Sequence, residues 1–99
     1  MPKYQLTNKV VEDLENIWDY TFENWSEKQA DKYYIYLVEC FQLLASKPKP
    51  GKAYNDVTQY LLGYKATQHV IFFRKINNTT IEIIRILHSR MDLKNRIFE

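Results

Sequence analysis

His69-Val70-Ile71-Phe72-Phe73-Arg74-Lys75 and Thr80-Ile81-Glu82-Ile83-Ile84-Arg85-Ile86-Leu87-His88 decide the fold. Both runs are rich in β-branched and aromatic residues, which suit a pleated, buried surface. Asn77-Asn78 between them suits a hairpin turn, because Asn tolerates positive φ. The second run carries Ile and Leu on both faces, so it is predicted to lie inside a sheet rather than at its edge. Upstream, roughly Tyr60–Ala66 reads as a third extended segment, and residues 51–57 as a polar loop.

Before that loop the period changes. Ala30, Tyr33, Tyr34, Leu37, Phe41 and Leu44 recur at helical spacing, and the helix is predicted to run to about Ser46. Lys47-Pro48-Lys49-Pro50-Gly51 stops it, since proline cannot donate and clashes with the preceding turn. Its start is marked by Ser26-Glu27-Lys28-Gln29, a capping box in which Ser26 accepts from the Gln29 N–H and the Gln29 side chain reaches back. Trp25 is placed to staple onto Ala30. An earlier helix, capped by Thr7 or Asn8, carries Val10, Leu14, Ile17 and Thr21 beside a second stripe of Val11, Trp18, Phe22 and Trp25, and ends near Asn24. The short connection makes the two helices antiparallel neighbours. Tyr4-Gln5-Leu6-Thr7 alternates as an opening strand. The order is β-α-α-β-β-β: an α+β fold with a helical hairpin on one face of a mostly antiparallel sheet. A right-handed crossover brings the first strand beside a later one, without saying which. Phe41 and Phe72 are expected between helices and sheet.

The chain has 99 residues, 45% of them hydrophobic and 26% charged, which fits one globular domain spanning 1–99. A single cysteine, Cys40, excludes an intrachain disulfide and a multi-cysteine zinc site, and it reads as a small buried hydrophobe. Two histidines are poor material for a metal centre, and no cofactor is expected. No apolar run approaches the roughly 20 residues of a membrane span, and the N-terminus lacks a signal-peptide core. A cytoplasmic protein is expected. Two glycines exclude a Gly-rich phosphate cradle. The net charge is only +2, but it is unevenly spread. Residues 1–50 hold six bases against eight acids, a net of −2, and residues 51–99 hold eight against four, a net of +4.

The aromatic share, 15%, is high for so small a core. The two apolar stripes of the first helix cannot face the same sheet, and a strip left in water marks a partner site. Trp18, Phe22 and Trp25 are therefore candidates for docking another chain, against the simpler reading that they belong to the core. Tyr33, Tyr34 and Tyr36 point in different directions around the second helix, so at least one is expected at a surface. The carboxylates of the first helix read as a solvated face, or as a face for a basic partner. Arg74 and Arg85 flank the Asn77-Asn78 turn on paired strands, where they can share a face and bind a phosphate or a charged transition state. His88 can act as a general acid or base. The simpler reading is that these cations finish the ends of a sheet and His88 hydrogen-bonds a neighbour.

The chain resembles the ParE toxins of the RelE/ParE toxin–antitoxin superfamily over nearly its whole length. The resemblance begins at Tyr4-Gln5-Leu6-Thr7 and runs through Asp13-Leu14, Ile17-Trp18-Asp19-Tyr20, Trp25-Ser26 and Gln29-Ala30-Asp31 to Tyr34 and Leu37. It resumes at Leu44-Ala45, Lys47-Pro48 and Gly51, and closes with His69 to Arg74, Ile81 to His88 and Met91-Asp92. It implies a bacterial type II toxin that is neutralised by a ParD-like antitoxin in a hetero-oligomer. It also implies that DNA gyrase is the target, poisoned in a DNA-cleaved state without hydrolysis by the toxin. The antitoxin is expected over the helical hairpin and sheet, with Tyr33 joining Trp18, Phe22 and Trp25 in binding it. No sequence-specific nucleic-acid binding by the toxin alone is expected. Target contacts are expected from Arg85, His88, Arg90, Met91, Lys94 and Arg96. Deletion after Leu93 is then expected to abolish toxicity and leave the fold soluble. RelE-like members of the superfamily instead cut messenger RNA on the ribosome, and in that alternative Arg74, Arg85 and His88 are the catalytic set. The sequence departs from the family at three points. Tyr60-Leu61-Leu62 stands where Gly-Tyr-Arg is common, Thr67 where a glycine is common, and Phe73 where a tyrosine often precedes the strand arginine.

Overall fold

In a computed structural model of the chain, residues 2–48, 51–55, 57–90 and 97 are described. Strand β1, Lys3–Leu6, leads into helix α1, Asn8–Asn24, and helix α2, Glu27–Ser46. Four strands follow: β2, Lys52–Ala53; β3, Leu62–Ala66; β4, His69–Lys75; and β5, Thr80–His88. They form one sheet in the order β1-β5-β4-β3-β2, parallel between β1 and β5 and antiparallel elsewhere. The first strand joins the last, so β5 is an interior strand, as its two apolar faces require. The stretch read as a polar loop contains the short edge strand β2. Two residues with both side chains in water carry no periodic signal.

Local chemistry explains the boundaries. Thr7 is the α1 cap: its hydroxyl accepts from the Val10 N–H at 3.2 Å and donates to the Ile84 carbonyl at 2.9 Å. One side chain thus starts the helix and fixes it to β5. Ser26 accepts from the Gln29 N–H at 3.0 Å, which is the first half of the capping box. Trp25 remains 75% exposed, so its staple onto Ala30 contributes little burial. The β4–β5 turn uses Asn77 differently from the expectation. Its side-chain oxygen accepts from the Thr79 N–H at 2.9 Å and the Thr79 hydroxyl at 3.1 Å, a local turn that needs no positive φ.

Positive φ occurs at two described residues, Tyr60 (65°) and Thr67 (59°). Both stand where the related family commonly has glycine. Thr67 is the first central residue of the two-residue β3–β4 hairpin, a position that favours glycine in a II′-type turn. The glycines are used for room instead. A Cβ on Gly63 would meet the Tyr54 ring at 2.5 Å.

The sheet has two covered faces. Val10 and Leu14 of α1 and Leu37, Phe41 and Leu44 of α2 pack with Ile71, Phe73, Ile81, Ile83 and Ile86. A second cluster joins Val70, Phe72 and Leu87 to Leu61 and Ile97, with Tyr54 and Val57 beside them. Successive strand residues alternate, so Phe72 belongs to the far face and Phe73 to the helical one. This corrects the expected place of Phe72. Cys40 is buried in the helical cluster. No helix among the described residues is long and apolar enough to cross a membrane.

Candidate functional site: a groove between the helical hairpin and the end of the sheet

Strand β1 pairs with β5 only as far as Ile83. Beyond it no strand among the described residues lies along the outer edge of β5. Asp13 of α1 takes that place. Its carboxylate accepts from the Ile86 N–H at 3.0 Å and from Arg85 at Nε (2.9 Å) and Nη2 (3.1 Å). Asp13 is 9% exposed and Arg85 8%. Removing one partner from a buried pair of this kind costs about 3–5 kcal/mol, because the other charge stays buried. The interaction ties α1 to the sheet at the floor of a groove.

The groove encloses about 800 Å³. Ile17, Tyr20, Thr21 and Trp25 line its α1 side, and Tyr33 of α2 lies beneath. Thr67, His69, His88 and Arg90 line the sheet side. Apolar walls with a few convergent polar groups are the usual form of a binding site. The polar end is ordered. The Tyr33 hydroxyl lies 2.7 Å from His69 Nδ1, and the His69 and His88 rings meet edge to face at 5.3 Å. His88 Nδ1 accepts from the Arg90 N–H at 3.1 Å, so that nitrogen carries no proton. Burial, helped by the neighbouring His88, pushes His69 down to about 4. Burial raises Tyr33 to about 12. Both groups are neutral near pH 7.

A β-bulge creates the histidine pair. Register runs from Lys75 opposite Ile81 to Phe73 opposite Ile83, then shifts so that Phe72 faces Arg85 and His69 faces His88. Without the extra residue His69 would face Leu87. Sequence reading missed His69 and Asp13 as site residues for this reason. The bulge has no composition signal, and an Asp among many helical carboxylates looks like its neighbours.

The residues singled out from sequence fall into separate groups. Trp25 and Tyr33 line the groove. Trp18 and Phe22 do not: they stack on each other at 5.2 Å, and Trp18 Nε1 donates to Asp31 of α2 at 3.0 Å. The four therefore fall into two groups: Trp25 and Tyr33 along the groove, and Trp18 with Phe22 beside it. Arg85, His88 and Arg90 border the groove, with Arg85 committed to Asp13. Arg74 is not among them. It lies towards the other end of β4, where its Nε and Nη2 each bond Glu82 at 3.0 Å. Arg74 and Arg85 thus hold different carboxylates and do not converge, contrary to the shared phosphate site drawn from their spacing. Met91, Lys94 and Arg96 lie outside the described residues. Among the described residues no group of three or more His, Cys, Asp or Glu side chains is arranged to hold a metal.

The same arrangement of hairpin and sheet occurs in chains of two solved toxin–antitoxin assemblies. One is the chromosomal ParDE system of Pseudomonas aeruginosa, with a TM-score of 0.74 and 21% identity, covering 89% of this chain and 96% of that one. The other is the RelBE2 toxin–antitoxin complex of Mycobacterium tuberculosis, with a TM-score of 0.66 and 18% identity, covering 90% and 100%. These likenesses establish the fold as that of the RelE/ParE class. In sequence, residues 4–93 match the model of the ParE toxin of type II toxin–antitoxin systems. Toxin ParE1 of M. tuberculosis is 30% identical over 95 residues, 96% of this chain and 97% of the relative. The chain belongs to the ParE toxin family.

Proposed function

We propose that this toxin poisons DNA gyrase, holding it in a DNA-cleaved state and blocking replication, and that a ParD-like antitoxin neutralises it in a hetero-oligomer in the cytoplasm. The observation that carries this reading is the family match over residues 4–93. The geometry of the cations supports a non-hydrolytic toxin. Arg85 is held by Asp13 at the groove floor, and Arg74 is held by Glu82 elsewhere. A ribonuclease needs its cations convergent on one phosphate. The groove, with Trp25 at its rim and Tyr33 at its base, is the surface for the antitoxin segment. Arg85, His88 and Arg90, which line the same groove, and Met91, Lys94 and Arg96 are the candidate contacts for the target, so a segment seated in the groove covers part of them.

One pair of reactions tests the proposal. Purified protein is incubated with gyrase and supercoiled plasmid, and separately with ribosomes translating a messenger. Linearised plasmid after denaturing gyrase is the expected result. Cut messenger with intact plasmid replaces the gyrase reading by the RelE-type one.

A further inference from the structure

Tyr60 is the least economical residue of the fold. A bulky side chain at φ 65° is a steric outlier, and outliers of this kind are retained where a surrounding function needs them. The Tyr60 N–H is held by the Asn55 side-chain oxygen at 3.3 Å, which fixes the backbone in place. The ring gains no burial in return, being 74% exposed. Thr67, the other outlier, has a reason inside the fold, since it opens the two-residue turn between β3 and β4, a position that takes positive φ. Tyr60 has its reason outside.

The surroundings define the chemistry. Tyr60 lines a concavity of about 330 Å³ with Gln59, Arg74, Lys75 and Ile76. Arg74 is held in place by Glu82, yet its side chain stays 58% exposed. Ile76 is also exposed. An open aromatic face, two adjacent cations and an amide form the set that takes a nucleic-acid strand: the ring stacks on a base and the cations meet phosphates. Glu82 offsets one positive charge, which limits the electrostatic share and leaves stacking as the larger one. The site lies at the Lys75 end of β4, and the groove at the His69 end. Seven strand residues separate them by about 20 Å.

We propose that Tyr60, Arg74, Lys75 and Ile76 form a sequence-independent binding site for single-stranded DNA, separate from the groove. It stands whether or not gyrase is the target, because it needs only a strand and no enzyme.

The test uses the purified full chain and a fluorescein-labelled 12-nucleotide oligo-dT, followed by anisotropy from 50 to 200 mM salt. The protein is expected to bind, more weakly as salt rises. Y60G is expected to weaken binding by about tenfold, the loss of one base stack. Its melting temperature is expected to stay at or above that of the parent, since glycine accepts the backbone angle. K75E is expected to weaken binding and flatten the salt dependence. Absence of binding by the parent chain, or equal binding by Y60G, overturns the proposal. Retained assembly with the antitoxin by Y60G and K75E is the control that both variants are folded.

Discussion

At the scale of single residues, the fold is held and strained by side chains that composition cannot rank. Asp13 is one of eight acids in the first half of the chain, yet it alone replaces a missing strand at the edge of β5. Thr67 shows the opposite case, in which a residue opposes its own backbone. A Cβ at positive φ costs roughly 1–2 kcal/mol, apart from anything the Thr67 hydroxyl contributes. Comparing T67G with T67A separates these effects, because both variants lose the hydroxyl and only one keeps the Cβ. T67G is expected to be the more stable by about 1 kcal/mol in urea unfolding. Equal stabilities would show that the turn is not strained. Residues of this kind were legible only in part. The departure from glycine at positions 60 and 67 was visible, but the angle each residue adopts follows from the turn.

At the scale of elements, most of the architecture was readable because local and global signals agree. The Ser26 cap, the proline stop and the switch of period after residue 57 place both helices and the three long strands. The pairing of β1 was not readable, since a four-residue strand fits several partners. The bulge in β5 was hidden as well, and with it the histidine pair. The helices also divide the aromatic surplus in a way spacing did not reveal. Trp25 lies at the groove rim in water, whereas Trp18 bonds Asp31 across the hairpin and stacks on Phe22 of its own helix. W25A is therefore expected to leave the melting temperature unchanged and speed dissociation of the antitoxin complex by tenfold or more, as loss of an aromatic anchor does. W18A is expected to lower the melting temperature first. Surface plasmon resonance and thermal melts on both variants decide the matter; equal effects would return the two residues to one site. The tail needs a different test from truncation. Ile97 is 6% exposed and helps cover Phe72 and Val70, so deletion after Leu93 opens the far face of the sheet along with removing Lys94 and Arg96. Substituting those two cations probes the target surface without that damage.

At the scale of the whole molecule, the acidic and basic halves of the sequence become a helical layer and a sheet with its tail. The buried histidine gives this assembly a pH dependence. The folded state resists protonating His69 until about pH 4, whereas the unfolded chain takes up that proton near 6.5. Between those values the unfolded state binds more protons, so stability falls as pH drops from 6.5 towards 4 and is regained as pH rises. H69Q is expected to flatten this part of a urea-midpoint against pH curve; an unchanged slope would assign the acid sensitivity to other groups. A last consequence follows from the union of the first strand with the last. Residues 3–6 find their partners only at residues 80–83. At about 5–20 residues per second, the nascent chain spends roughly 2–8 s with its helical hairpin made and its sheet open. The hairpin is local and forms early, while β4, β5 and everything they present come late. The order of synthesis therefore acts as a delay fuse: the helical side of the groove stands ready before the sheet side that completes it exists.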